Sequence, residues 1–187
     1  MSWSAEPGVE PVLAGGRSTS MRRVLVIGCG GAGKSTFASA LGRLTALPVV
    51  HLDQEYWQPA WAATPAEVWE RRIATLVEGR RWILDGNYGA TLAPRLAACD
   101  TVIFLDLPRA LCVWRVIRRW WRYRGQERPD MSAGCPERLS WEFLRWIWTY
   151  PRRRRPAILS RLAALGTDQR AVVLRSRAEV AAFLRLL

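Results

Sequence analysis

Apolar runs without polar alternation recur along the chain, and each of the first four stops at a glycine or a carboxylate. Val24-Leu25-Val26-Ile27 stops at Gly28, Val49-Val50-His51-Leu52 at Asp53, Trp82-Ile83-Leu84 at Asp85 and Thr101-Val102-Ile103-Phe104-Leu105 at Asp106. These runs predict strands near 22–27, 49–52, 82–84 and 101–105, with a fifth at 171–174. Strands that are apolar throughout belong in a parallel sheet covered on both faces. His51, inside its run, reads as a core residue. Helical patterns lie between the strands, at about 34–46, 65–78, 91–98, 109–124, 137–150, 157–165 and 177–186. Pro48 ends the first, and Thr64-Pro65-Ala66-Glu67 supplies a cap, a first-turn proline and a first-turn acid for the second. Gly125, Pro129, Gly134 and Pro136 make 125–136 a loop, and the segment from Pro151 to Pro156 interrupts the helical pattern. No internal repeat is visible. Strand and helix alternate, which predicts an α/β domain with a parallel sheet.

The junction after the first strand carries the strongest chemical signal. Gly28-Cys29-Gly30-Gly31-Ala32-Gly33-Lys34-Ser35-Thr36 fits G-x-x-x-x-G-K-[ST] between a strand and a helix. Glycines let the backbone turn several N–H groups toward one point, and the helix adds its positive N-terminal end, so the loop favours an anion. Lys34 would reach the outer phosphates of a nucleotide and Ser35 would ligate Mg²⁺. The same residues spell G-x-G-x-x-G at Gly28, Gly30 and Gly33, with Asp53 about twenty residues on, so a dinucleotide fold stands beside the P-loop reading. Composition favours the P-loop: of 28 basic residues Lys34 is the only lysine, and it directly follows Gly33. A glycine turn without a ligand is the plain alternative.

The totals narrow the class. A length of 187 residues, half of them hydrophobic, fits one domain with a real core. No apolar run approaches the ~20 residues of a membrane helix. The first twenty residues lack a basic start and an apolar middle, so they read as a flexible leader rather than a signal peptide. Cys29, Cys99, Cys112 and Cys135 have no C-x-x-C spacing, which predicts reduced thiols and a cytoplasmic protein. Charge is uneven: the first hundred residues carry ten basic and nine acidic groups, the remainder eighteen and seven. Such a field attracts polyanions without naming them.

With these residues in place, the chain resembles the adenylate-kinase-like P-loop kinases. The resemblance rests on the P-loop, Asp85-Gly86 after the third strand, Leu105-Asp106-Leu107-Pro108 and the arginine-rich helix that follows. More narrowly, it resembles a bacterial branch named "DNA topology modulation protein" or "adenylate kinase-related kinase". That likeness is carried by His51-Leu52-Asp53 through Trp57 and Trp61, Trp82 through Tyr88, Arg128-Pro129-Asp130-Met131 and Gly134 through Arg138. It covers roughly residues 22–186. It implies a three-layer P-loop fold with a five-stranded parallel sheet of order 2-3-1-4-5, a substrate-binding insertion at 53–80 and a helical lid at 119–138. It places Asp85 where that family keeps a carboxylate near Mg²⁺, and Arg119 and Arg128 near its lid arginines. Asn87-Tyr88 stand where true adenylate kinases have Phe-Pro-Arg, and 53–80 is rich in tryptophan with few basic groups. Both departures argue against AMP as acceptor.

The expected activity is transfer of the γ-phosphate of Mg-ATP to a small hydroxyl acceptor, such as a nucleoside or nucleotide. Phosphoryl transfer needs positioning and positive charge more than covalent help. The nucleotide site would comprise Gly28, Gly30, Gly31, Ala32, Gly33, Lys34, Ser35, Thr36 and Arg115. The catalytic set would comprise Lys34, Asp53, Asp85, Arg119 and Arg128, with Ser35 and Asp85 toward the metal. Each has a plainer reading. Arg115, Arg118, Arg119 and Arg122 also make one face of an amphipathic helix. Asp85 is also the first half of an Asp-Gly turn, and Asp53 also suits a cap or loop. Asp106 reads as structural and Arg152–Arg155 as a solvated charge run. Trp57 and Trp61 stack on a planar substrate or pack the insertion. The tryptophan-rich helix near 141–148 reads as core or as a subunit contact in a monomer or homodimer. A nucleic-acid-associated regulator and an ATPase without an acceptor are the competing functions.

Overall fold

The computed structural model describes residues 21–126 and 131–187; the leader at 1–20 lies outside them, as does Arg128. In chain order the elements are β1 (Arg23–Gly28), α1 (Lys34–Thr45), β2 (Val49–His51), α2 (Leu52–Tyr56), β3 (Trp57–Gln58), β4 (Ala62–Ala63) and α3 (Ala66–Glu78). There follow β5 (Trp82–Asp85), α4 (Leu92–Ala98), β6 (Thr101–Leu105), α5 (Arg109–Tyr123), α6 (Trp141–Arg153), α7 (Arg155–Ala163), β7 (Arg170–Leu174) and α8 (Arg177–Arg185). The five long strands form one parallel sheet in the order β2-β5-β1-β6-β7, and β3 and β4 form a separate antiparallel hairpin. Counting only the main-sheet strands, this is the expected 2-3-1-4-5. A dinucleotide fold would set the second strand beside the first. Here β5 stands between them, so the topology decides against that alternative. β1, β5 and β6 are buried along almost their whole length, as their unbroken apolar sequence requires.

Four local expectations change. Leu52 opens the short helix α2 instead of ending a strand, and the aromatic segment after it closes as the β3–β4 hairpin. Thr64 does not cap α3: its hydroxyl donates to the Tyr56 carbonyl at 2.6 Å and closes the hairpin, leaving Pro65 at the helix start. The segment 119–138, expected as a helical lid, is helical only through the end of α5. Its described remainder is irregular, held by a bridge between Arg124 and Glu137, and α6 starts at Trp141 behind a Ser140 cap. Finally, α6 runs through Pro151 and breaks only at Arg154. Proline lacks the N–H that the carbonyl four residues back would accept. That carbonyl belongs to Ile147, and the Cys29 thiol lies 3.9 Å from it and donates to it.

The segment after β5 is held by a buried cation. Arg95, on α4, is fully buried, and burial pulls its pKa down to about 10. Its guanidinium donates to the carbonyls of Thr91 (3.0 Å), Gly86 (2.8 Å), Tyr88 (2.8 Å) and Asn87. Replacing Arg95 with leucine removes a charged donor from four carbonyls, of which that of Tyr88 keeps Thr91. Chemical denaturation should report a loss of about 3–5 kcal/mol, or a failure to fold. A loss under about 1 kcal/mol would show that water replaces the guanidinium.

Candidate active site

The site lies at the carboxyl ends of β1, β2 and β5, where open α/β sheets place ligands. Between β1 and α1 the chain turns tightly. Gly31 (φ 80°) and Gly33 (φ 89°) take left-handed conformations that other residues resist. The loop is also crowded from outside. A Cβ on Gly31 would lie 2.3 Å from the Cys112 carbonyl of α5, and one on Gly30 would lie 2.5 Å from the Phe143 ring of α6. The two helices therefore clasp the loop from behind. Lys34 reaches back across it, its ammonium donating to the Cys29 carbonyl at 3.3 Å. Arg115 approaches from α5 and donates to the Ala32 carbonyl at 2.9 Å. Ser35 is half-buried in the first turn of α1, and Thr36 is exposed.

Asp85 ends β5 with 4% exposure. Register explains its setting: on one side it pairs with Val26, two residues before Gly28, and on the other with His51. His51 and Asp85 are thus parallel neighbours, and the His51 Nδ1 lies 2.9 Å from Asp85 Oδ2. The other imidazole nitrogen lies 3.4 Å from the Ser39 hydroxyl of α1. Asp85 Oδ1 is buried with no partner among the described residues. His51, expected as an inert core residue, instead orients this carboxylate. No periodicity signals such a role, because it depends on the pairing of two strands distant in sequence.

Asn87, singled out in the sequence only as a departure from Phe-Pro-Arg, ties the two walls together. Its side-chain carbonyl accepts from the Gly28 amide at 3.0 Å, while its amide group donates to the Gly28 carbonyl at 2.6 Å. The next residue, Tyr88, sits at φ 33°, ψ 73°, an uncommon conformation for a tyrosine. Its carbonyl accepts from Arg95 and from the amide and hydroxyl of Thr91, and its hydroxyl donates to Asp53 Oδ1 at 2.6 Å. Burial, followed by the Asp53 charge, pushes the Tyr88 pKa far up, so the phenol remains a donor. Tyr56, Trp69 and Tyr88 pack as a three-ring cluster with centroids 4.7–5.1 Å apart. Trp57 and Trp61 meet edge to face at 5.5 Å, so these two pack against each other.

The segment 131–136 lies across the insertion. The Ala60 amide donates to the Gly134 carbonyl (2.9 Å) and the Ser132 hydroxyl to the Gln54 carbonyl (2.7 Å). The Cys135 thiol donates to the Gln58 carbonyl (3.2 Å) and the Trp61 indole N–H to the Pro136 carbonyl (3.1 Å). Of the expected arginines, Arg115 meets the loop, whereas Arg119 pairs with the buried Glu137 at 3.0 Å. Arg155, read as part of a solvated run, pairs with Asp106 at 2.8 Å. Beneath the loop, a hydrogen bond with Cys112, followed by burial, holds the Cys29 thiol well above its ordinary pKa. All four cysteines are free and buried. Among the described residues no helix is long and apolar enough to cross a membrane.

No family model matches this sequence, and no curated protein matches it. Solved structures do share its fold. A shikimate kinase from Bacteroides thetaiotaomicron aligns over 89% of this chain and 95% of its own at 15% identity, with a TM-score of 0.52. A putative kinase from Chloroflexus aurantiacus aligns over 88% and 96% at 18% identity, with a TM-score of 0.51. A gluconokinase from Sinorhizobium meliloti aligns over 88% and 87% at 13% identity, with a TM-score of 0.50. The chain therefore has the three-layer fold of the P-loop kinases.

The Asn87 clamp yields a direct test. Asn87→Ala should cost about 2 kcal/mol in urea denaturation, since both polar groups of Gly28 lose a partner. Asn87→Asp should cost more, because a carboxylate oxygen would replace the nitrogen that donates to the Gly28 carbonyl. Equal stability of the two variants would contradict the two-point bond.

Proposed function

We propose that this chain is an ATP-dependent phosphotransferase acting on a small hydroxyl acceptor. One observation carries the reading. A P-loop with its lysine across the turn lies one strand from Asp85, a buried carboxylate with one oxygen oriented by His51 and the other without a partner among the described residues. A phosphate cradle beside an available carboxylate oxygen fits a nucleotide with its magnesium ion, since Mg²⁺ takes one or two carboxylate or hydroxyl ligands, phosphates and waters. The kinases of like fold support the same class.

Bound Mg-ATP would supply the transferable phosphoryl group and neutralise part of its charge. The chain's own residues would do the rest. The backbone from Gly31 to Ser35 would cradle the phosphates, with Gly28 and Gly30 giving the loop its path and Ala32 and Thr36 completing the turn. Lys34 would swing from the Cys29 carbonyl to the outer phosphates. The Ser35 hydroxyl and Asp85 Oδ1 would hold the metal, directly or through its water. Arg115, already against the loop, would face the charge that builds during transfer. Asp53 would orient the acceptor hydroxyl and take its proton, with Tyr88 fixing the carboxylate by its short bond. The segment 131–136 would exclude water and limit hydrolysis. Arg119, tied to Glu137, would act by shaping that segment, and Arg128 belongs to the same proposed lid.

Lys34→Ala should cut γ-phosphate transfer by about 10³-fold or more while leaving circular dichroism unchanged. Unaltered turnover in that variant would sink the proposal. Asp85→Asn should raise the Mg²⁺ concentration needed for half-maximal rate by about tenfold or more. An unchanged Mg²⁺ dependence would remove Asp85 from the metal site.

A further inference from the structure

The two residues proposed to hold the metal come from different layers of the fold. Ser35 lies in the first turn of α1, and Asp85 ends β5. A chain of side chains joins them. Ser39 follows Ser35 by four residues, so the two hydroxyls share one face of α1, one turn apart. The Ser39 hydroxyl lies 3.4 Å from His51 Nε2, and His51 Nδ1 lies 2.9 Å from Asp85 Oδ2. Packing holds this contact in place. Gly42 stands three residues beyond Ser39 on the same face of α1, and a Cβ there would lie 2.4 Å from a Val49 methyl. Val49 and His51 alternate onto one side of β2, the side that α1 covers. Pairing of β2 with β5 then sets His51 beside Asp85.

We infer that Ser39, His51 and Asp85 act as one unit that fixes the spacing of the two proposed metal ligands, with His51 as its positioning residue in the Nδ1–H tautomer. This rests on the phosphotransferase reading and deepens it. The tautomer follows from the neighbours of the ring. A carboxylate only accepts, so the nitrogen 2.9 Å from Asp85 carries the proton. In a neutral ring the other nitrogen is then an acceptor, and the Ser39 hydroxyl donates to it. Binding Oδ2 stops the carboxylate from rotating about its own bond and leaves Oδ1 in one position, as metal-ligating carboxylates require. The Ser39 bond ties the imidazole to the helix that begins with Lys34 and Ser35. The carboxylate is thereby positioned against the glycine-rich loop and its helix, and not only against its own strand.

Two measurements on the full chain test the unit. His51 is the only histidine, so a multiple-bond ¹H–¹⁵N NMR spectrum reads its ring without overlap. At about pH 8.5, where an ordinary imidazole is neutral, Nδ1 should show the signal of a protonated nitrogen and Nε2 that of an unprotonated one. A proton on Nε2 would overturn the inference. The second measurement is ADP binding by equilibrium dialysis, with and without Mg²⁺. Mg²⁺ should tighten ADP binding to the unaltered chain. His51→Leu should lose about tenfold of that tightening while its metal-free affinity for ADP stays unchanged. His51→Asn, whose amide places a donor near the Nδ1 position, should restore most of the loss, and Ser39→Ala should lose about threefold. Equal loss with and without Mg²⁺ would mark a merely structural role and overturn the inference. Full tightening in His51→Leu or Ser39→Ala would overturn it too. ADP binding that Mg²⁺ leaves unchanged in the unaltered chain would overturn the inference alone, whereas no ADP binding under either condition would overturn the phosphotransferase reading with it.

Discussion

Leaving a guanidinium buried without partners costs several kcal/mol, more than most single contacts contribute. Arg95 avoids that cost by meeting four carbonyls of one short segment, bonds of about 1.5–3 kcal/mol each when a charge is involved. The exchange fixes the path of residues 86–91, and the site depends on that path. Asn87 can grip Gly28 only if its backbone leaves β5 at this angle. Tyr88 can reach Asp53 only from its left-handed conformation. A fully buried cation thus sets the distance between the glycine-rich loop and the carboxylates opposite.

The phosphate loop is fixed from its other side by packing. Gly30 and Gly31 are small because Phe143 and the Cys112 carbonyl press on them, so α5 and α6 define the loop's outer contour. The proline in α6 fits the same arrangement. It releases the Ile147 carbonyl from the helix ladder, and the thiol of Cys29, inside the loop, takes the vacancy. Loop, helix and proline are therefore one unit. In the proposed transfer, a cradle held in this way would stabilise developing charge without having to reorganise.

The sheet was legible because parallel, doubly covered strands leave unbroken apolar runs, and all five main-sheet strands came close to their expected limits. The phosphate loop was legible because its spacing is a local property of nine consecutive residues. What sequence concealed lies in register and in long-range polar contact. His51 looked like core because nothing in its own strand shows that β2 sets it beside Asp85. Asn87, Arg95 and the Arg155–Asp106 pair act on groups 4 to 59 residues away. Arginine was the hardest residue to read in a chain that has 27: one meets the loop, one is buried, and several neutralise carboxylates. Thr64 misled because a cap and a hairpin clasp use the same hydroxyl, and the nearer carbonyl was that of Tyr56.

The segment 131–136 is tied to the insertion by neutral bonds. Each of its four bonds ends on a backbone carbonyl, and the neighbouring charges of Arg119 and Glu137 are bound to each other. Gly134 lets the backbones meet, since a side chain there would strike Pro59 at 2.9 Å. At about 1 kcal/mol net for each bond, these contacts hold the segment against the insertion by a few kcal/mol. Its position is therefore set by backbone geometry rather than by charge.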